Sequence, residues 1–586
     1  MQTATVPPPR RKRRGRGWSV LIILVMTLAL LGVSVLWIVR NYGPVDTRMI
    51  PDYGSDKPVF ADGAPLDGGA VGAGEGLKLP LAMLQEVVDP SIRYEEASAS
   101  VILTTQDRVL RLVTDQLTAW ANDKPFELRF PVEVAEDGVV YVPAHPLAEL
   151  YGLRVVEAPD TGIVTLARAG ETLAYVAAPE AEEGESSFSD GVAVRLEPTV
   201  RAPIADELAP GERAVVWGEA DGWFKVQTES GYVGYAAESD VVWAGTEIVP
   251  APDAPKAAPF VPERPLGRKI VLAWEQVYEK NPDPAKFGSM PGLNVVSPTW
   301  FHVIDGEGSL ENRADKAYVR WAHDRGYQVW ALFSNNFDPD QTAEALSTYD
   351  RRMTMARQLV GWAQLYELDG INVDFENVYV KDGPNLTQFM RELTPLLHEA
   401  GVTVSIDVTF AGGSDTWSKF LDRKALGGIV DYMMVMAYDE HWASSPVAGS
   451  VASLPWVENG MRVMIEEQGV PAEKLLLGVP FYTRIWTEET VDGKKKVSSK
   501  AVGMDTVAGL IREKRLQPKL DEKTGQRYVQ YEENGAVKKI WIEDDVSMKA
   551  RAELARELGL AGVAAWSRNF ASESIWKTID EALHHK

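Results

Sequence analysis

From residue 268 to the end of this 586-residue chain, apolar runs of strand length keep returning with helix-length stretches between them. They fall at 269–273, 294–298, 328–333, 370–375, 403–408, 432–437, 475–480 and 562–565. Parallel strands are buried on both faces and need a crossover helix between neighbours, so this alternation is the pattern of repeated βα units. Eight such runs predict an α/β fold, a (β/α)8 TIM barrel, with its working residues gathered at the C-terminal ends of the strands.

In the fourth run a period of two separates Ile371, Val373 and Phe375 from Asn372, Asp374 and Glu376. The apolar set is expected to face the helices. The polar set then lines the barrel interior, with Glu376 nearest the open mouth. Burying three aligned polar groups is costly, and an ordinary barrel strand is apolar on both faces. A satisfied polar cluster is the plain reading of them, and a catalytic row is the functional one.

The residues Asp369-Gly-Ile-Asn-Val-Asp-Phe-Glu376 resemble the DxxDxDxE signature of glycoside hydrolase family 18, the chitinase-like barrels. Met436-Ala-Tyr-Asp439, Gly478-Val-Pro-Phe-Tyr-Thr-Arg-Ile-Trp486 and Leu558-Gly-Leu-Ala-Gly-Val-Ala-Ala-Trp566 extend the resemblance across residues 266–586. It implies substrate-assisted retaining hydrolysis, in which the sugar's own 2-acetamido oxygen is the nucleophile and one strong acid suffices. Glu376 would protonate the leaving oxygen and later activate water, Asp374 would hold the acetamido N–H, and Tyr438 its oxygen. Trp566 would floor the sugar ring, and Asp439, Tyr482, Arg484, Asn372 and Asp369 are the remaining substrate-binding candidates. Trp442 and Trp486 are further candidates for sugar stacking. Asn372 stands where many members carry a second Asp, and it is expected to donate a hydrogen bond to Asp374. Strands around Asn534-Gly535 predict a hairpin inside an α+β insertion between Trp486 and Ala561. The expected partner is a β-linked N-acetylhexosamine polysaccharide. A catalytically silent sugar-binding barrel is the competing reading, although a lectin needs no acid.

The rest of the chain constrains location and company. Residues 1–17 carry Arg10, Arg11, Lys12, Arg13, Arg14 and Arg16 with no acid, followed by an uncharged run at 18–39. At 1.5 Å per residue that run spans a hydrocarbon core of about 30 Å, and the basic cluster before it keeps the N-terminus cytoplasmic. It exceeds the core of a signal peptide and lacks a small-x-small cleavage site, so a single-pass anchor with the body outside the cell membrane is expected. Removing those six positive charges from the net −24 leaves −30 for the remainder, which excludes a basic nucleic-acid groove and favours a neutral substrate. The chain has no Cys, so disulfides and thiolate metal sites are excluded. His441 and His584 lack metal-ligand spacing, and neither metal nor cofactor is expected.

Residues 40–76, rich in Gly, Asp and Pro, read as a stalk. Displacing the chain by 63 residues then pairs Leu79-Pro80 with Val142-Pro143, Leu84 with Leu147, Ile92 with Val155, Val101 with Val164 and Leu103 with Leu166. Two copies of a strand, helix, strand, strand unit follow for 77–180, similar to the copper amine oxidase N-terminal-like domain. Only His145 falls there, so no copper chemistry is implied. Short Gly-punctuated strands at 190–245, with Val194-Arg195, Gly222-Trp223 and Gly234-Tyr235, resemble the bacterial SH3-like domain, a small β-barrel. Residues 246–265 read as a Pro-rich linker. The anchor and the SH3-like module favour peptidoglycan over chitin as substrate.

Overall fold

The structure is a computed structural model and describes residues 16–180, 191–251, 260–263, 267–491 and 493–584. The basic residues Arg10 to Arg14 and much of the expected linker lie outside the described residues. An N-terminal helix runs over Arg16–Tyr42, and its segment Leu21–Tyr42, of mean hydropathy 2.8, is long and apolar enough to cross a membrane by length and composition.

The chain divides into two compact units, 1–88 with 134–254 and 89–133 with 255–586. In the first, a seven-stranded sheet runs from Ile204–Leu208 at one edge to Val242–Ile248 at the other and holds the SH3-like strands. Beside it in sequence is a four-stranded sheet in which Val164–Arg168 pairs in parallel with Pro58–Ala61. Residues 40–76 are therefore not a stalk throughout. Pro58–Ala61 and Ala64–Gly69 are strands, Val59 and Phe60 are buried, and the backbone N–H of Met49 bonds to the carbonyl of Ile204. Two buried apolar side chains in one short strand outweigh the loop-like composition around them.

Both copies of the repeat show the same element order. Lys78–Pro80, Leu81–Val87, Arg93–Glu95 and Ser100–Thr104 answer to Val140–Pro143, Ala144–Tyr151, Leu153–Glu157 and Val164–Arg168. The two Pro-ended strands pair with each other, Leu79 opposite Val142. Beyond its helix the first copy enters a five-stranded antiparallel sheet, Arg93 to Glu127, that belongs to the second unit.

That second unit is built on a closed barrel of eight parallel strands: β1 (Ile270–Glu275), β2 (Val295–Val303), β3 (Gln328–Ser334), β4 (Gly370–Asp374), β5 (Thr403–Val408), β6 (Tyr432–Val435), β7 (Leu475–Pro480) and β8 (Gly562–Trp566). β8 pairs with β1 and β1 with β2, which closes the ring. Ile371, Val373 and Phe375 of the fourth strand pack into the outer core with Val404, Ile406 and Phe389. Leu272, Trp274, Trp330, Tyr432 and Met434 fill the interior below the mouth. After β7 the chain leaves the barrel for a five-stranded sheet and the helix Met504–Lys514, the expected insertion. Its hairpin turns at Asn534 and Gly535, with φ of 54° and 77°, the left-handed pair that a tight two-residue turn requires.

Two barrel helices, α1 (Tyr349–Tyr366) and α2 (Gly383–Glu399), carry a buried ion cluster on the side facing the Arg93–Glu127 sheet. Arg352 of α1, fully buried, donates to both oxygens of Glu392 on α2 at 2.8 and 2.9 Å and to Glu95 at 3.0 Å. Its remaining nitrogen donates to the carbonyl of Leu346, and Gln388 also donates to Glu392. Around this centre Arg111 pairs with Asp350, Arg357 with Asp123 and Lys124 with Glu399.

Candidate active site

At the C-terminal ends of the barrel strands a cavity of about 340 Å³ is lined by Asp374, Glu376, Asp407, Tyr438, Asp439 and Trp566, with Trp274, Tyr482, Arg484 and Phe337. A larger crevice of about 620 Å³ lies beside α2, but its acids Asp89 and Asp422 are occupied in holding nearby backbone N–H groups. Of these two cavities, the smaller gathers carboxyls that perturb one another.

Glu376 sits just past β4, and its backbone is held by Asn335 at the end of β3. The Glu376 N–H donates to the Asn335 side-chain oxygen at 3.1 Å, and the Asn335 amide donates back to the Glu376 carbonyl at 2.8 Å. Burial raises the Glu376 carboxyl well above the usual range, and the charges of Asp374 and Asp439 add to the effect. Asp374 is buried, with Oδ1 lacking a hydrogen-bond partner among the described residues, and burial pushes it up to about 7. A carboxyl kept neutral beside one that ionises near neutrality divides the site into an acid and a base, the separation that proton-transfer chemistry needs.

Asn372 does not pair with Asp374 as expected. Trp274 and Ser297 both donate to its side-chain oxygen, at 2.9 and 3.2 Å, so its amide points the other way and donates to Asp407 on β5 at 2.8 Å. Asp369 does not reach the cavity. It lies at the opposite end of β4, where one oxygen accepts from the Val329 N–H at 2.7 Å and meets His323 at 2.9 Å. The physical reason is length: seven residues of extended chain separate Asp369 from Glu376, about 23 Å at 3.3 Å per residue.

Tyr438 is half-buried against the cavity, and its hydroxyl is pushed up chiefly by desolvation and then by the charge of Asp407. Asp439 has a left-handed backbone, φ 59°, a conformation that Asp tolerates. It accepts from the Tyr482 hydroxyl at 2.6 Å and from Arg484 at 3.3 Å. Arg484 is thus a buried partner of Asp439 and not a solvated loop cation. Trp566 forms one wall, its ring 5.8 Å from that of Trp274. Trp486 is a core residue with no exposure, donating to the Gly449 carbonyl, and so offers no face to a sugar. Trp442 is 52% exposed and donates to Ser444, outside the cavity lining.

Among the residues at the site that sequence reasoning did not single out are Asp407, Trp274, Asn335 and Phe337. Asp407 carried a signal, since Ser405 and Asp407 repeat on β5 the inward polar alternation used for β4. Phe337, 41% exposed, stands 6.3 Å from the ring of Trp417, and its loop position gives no periodic cue. Among the described residues no group of three or more His, Asp or Glu is arranged to hold a metal.

Residues 306–571 match the family described as "Glycosyl hydrolases family 18", residues 190–242 the "Bacterial SH3 domain" and residues 64–167 the "Copper amine oxidase N-terminal domain". The chain is similar to "Uncharacterized glycosylase YvbX" of Bacillus subtilis (strain 168), 25% identical over 299 residues that cover 49% of this chain and 84% of that protein. It is also similar to the "Cortical fragment-lytic enzyme" of Bacillus anthracis, 24% identical over 284 residues, and there it spans 65% of the relative's length and 47% of its own. Among solved structures, a chitinase from Chromobacterium violaceum ATCC 12472 aligns over 54% of this chain and 100% of its own, at 24% identity and a TM-score of 0.48.

Proposed function

We propose that this chain, a glycoside hydrolase whose residues 306–571 match the family described as "Glycosyl hydrolases family 18", cleaves β-linked N-acetylglucosamine polymers, peptidoglycan before chitin, from an anchored position outside the cell membrane. The observation that carries the reading is the neutral Glu376 beside the ionisable Asp374 in one cavity walled by Trp566. Glu376 gives its proton to the glycosidic oxygen as the bond to the anomeric carbon breaks. The substrate's acetamido oxygen bonds to that carbon, and ionised Asp374 accepts the acetamido N–H and balances the oxazolinium charge. Tyr438 donates to the acetamido oxygen. In the second half, Glu376 takes a proton from water, the water oxygen attacks the anomeric carbon, and the ring opens with the acid restored. The cortical fragment-lytic relatives and the SH3-like module support a wall glycan as substrate, and the apolar helix after the basic segment supports the anchor.

The test is to incubate the full chain in detergent with purified peptidoglycan and with N-acetylglucosamine oligomers and to weigh the fragments by mass spectrometry. Reducing-end fragments from peptidoglycan at the higher rate are expected. Binding without cleavage of either polymer returns the chain to the silent sugar-binding reading. Ready cleavage of a plain β-glucoside, which has no 2-acetamido group, removes the substrate-assisted mechanism. Deleting residues 1–39 should shift the protein from the membrane to the soluble fraction.

A further inference from the structure

Asp374 needs to be an anion at the moment charge develops on the sugar, yet it is buried beside other carboxyls, with no cation among the described residues that perturb it. Something next to it has to hold a proton. Val373 and Ile406 are register partners on β4 and β5, and both point into the outer core. The next residue on each strand is therefore turned inward, which sets Asp374 and Asp407 side by side at the same height. Asp407 is 3% exposed and lines the same cavity. One of its oxygens accepts the Asn372 amide, whose orientation is fixed by the Trp274 and Ser297 donors on its other end. Asp407 is thus held by the Asn372 amide, with Asp374 beside it on the neighbouring strand.

We propose that Asp407 is a positioning residue for the hydrolysis, its protonated carboxyl donating to Asp374 so that Asp374 stays ionised, with the Asn372 amide holding Asp407 in place. The proposal rests on the functional reading above. The ionisable groups facing Asp407 are Asp374 and Glu376 from β4 and Tyr438 beyond β6, all anionic when ionised. Burial pushes Asp407 well above the usual carboxylate range, and the charge of Asp374 adds to the effect, against hydrogen bonds from Asn372 and Trp274 that pull the other way. Both carboxyls are raised by burial, Asp374 to about 7 and Asp407 well above its usual range, and the proton between them is assigned to Asp407 because Asp374 is the one that must be ionised for the sugar. The arrangement also accounts for Asn at 372: an Asp there would set one carboxyl directly against Asp407, and the two would share the proton that Asp374 needs.

The experiment is a cycle of variants in the full chain, read as the pH profile of kcat/KM on a fluorogenic N-acetylglucosamine oligomer. Asp407→Leu removes the donor and should move the acidic limb up by about one pH unit, with at least about a ten-fold loss of rate at neutral pH. Asp407→Asn presents a fixed amide donor to Asp374 and should move that limb down. Asn372→Asp draws the proton of Asp407 away and should move it up, and adding Asp407→Asn to Asn372→Asp should bring it back toward wild type. A purely structural Asp407 gives losses that add and a limb that stays in place, and that result overturns the proposal. Should Asp407→Leu not fold, the Asn372→Asp and Asp407→Asn pair decides alone through its additivity. A wild-type protein inert on every N-acetylglucosamine substrate defeats the functional reading instead, whereas an active wild type with unmoved limbs defeats only the role of Asp407.

Discussion

The second unit buries two clusters of carboxylates and treats them in opposite ways. Around Arg352, Glu95 and Glu392 meet a guanidinium that reaches both, and Leu346 and Gln388 complete the bonding. At the barrel mouth, Asp374, Glu376 and Asp407 line one cavity with no cation among their perturbing neighbours in the described residues, and each is raised by burial. Supplying an arginine turns buried acids into a strut. Withholding it leaves acids that keep their protons at a pH where free carboxylates have none, and that is the property a general acid needs.

The largest effect that can test this contrast is on rate. Glu376→Gln removes a proton donor without changing shape, so kcat should fall by at least roughly 10² to 10⁴, with the melting temperature at or above that of wild type. A variant that keeps its rate would reassign the acid. On stability the order reverses. Arg352→Met strips buried Glu392 of its guanidinium, leaves Glu95 with Arg93 at 3.9 Å, and should cost about 3 to 5 kcal/mol in denaturant unfolding, while adding Glu392→Gln should recover part of that loss. If the single change is silent, the strut is not one.

A smaller effect separates the clusters by pH. Asp374 has its folded pKa raised to about 7 against roughly 3.9 unfolded, so the folded state binds the extra proton and stability falls as pH rises between those values. Asp374→Asn should therefore melt like wild type near pH 4 and above it near pH 7.5, by on the order of 1 to 3 kcal/mol. Equal melting curves at both pH values would mean that the site does not store this cost. The smallest change comes from Asp439, whose charge helps to raise Glu376. Asp439→Asn should move the alkaline limb of kcat to lower pH, by less than about one unit. A shift upward contradicts the assigned sign.

Much of this could be read in the sequence, and the exceptions share a cause. The eight strands, the inward row of β4 and the hairpin at Asn534-Gly535 are set by local alternation and turn chemistry, which one strand or one turn carries by itself. The partner of Asn372 was misread because it comes from the next strand, 35 residues away, and the amide is aimed by Trp274, 98 residues earlier. Asn335, which holds the Glu376 backbone, is 41 residues from it. The strand Pro58–Ala61 was hidden by the glycines and prolines around it, since its pairing with Val164–Arg168 lies far along the chain. Asp369 shares a signature with Glu376 and yet serves the barrel's other end. A motif records which residues occur together, not which of them meet.

The ion cluster on α1 and α2 also fixes an order in time. Glu95 leaves the ribosome 257 residues before Arg352, its partner in the cluster. At roughly 5 to 20 residues per second that is a wait of about 13 to 51 s, during which Ile102 and Val109 lack the helices that cover them in the finished fold. Whatever shields the sheet from Arg93 to Glu127 over that interval acts on a protein that is still being made.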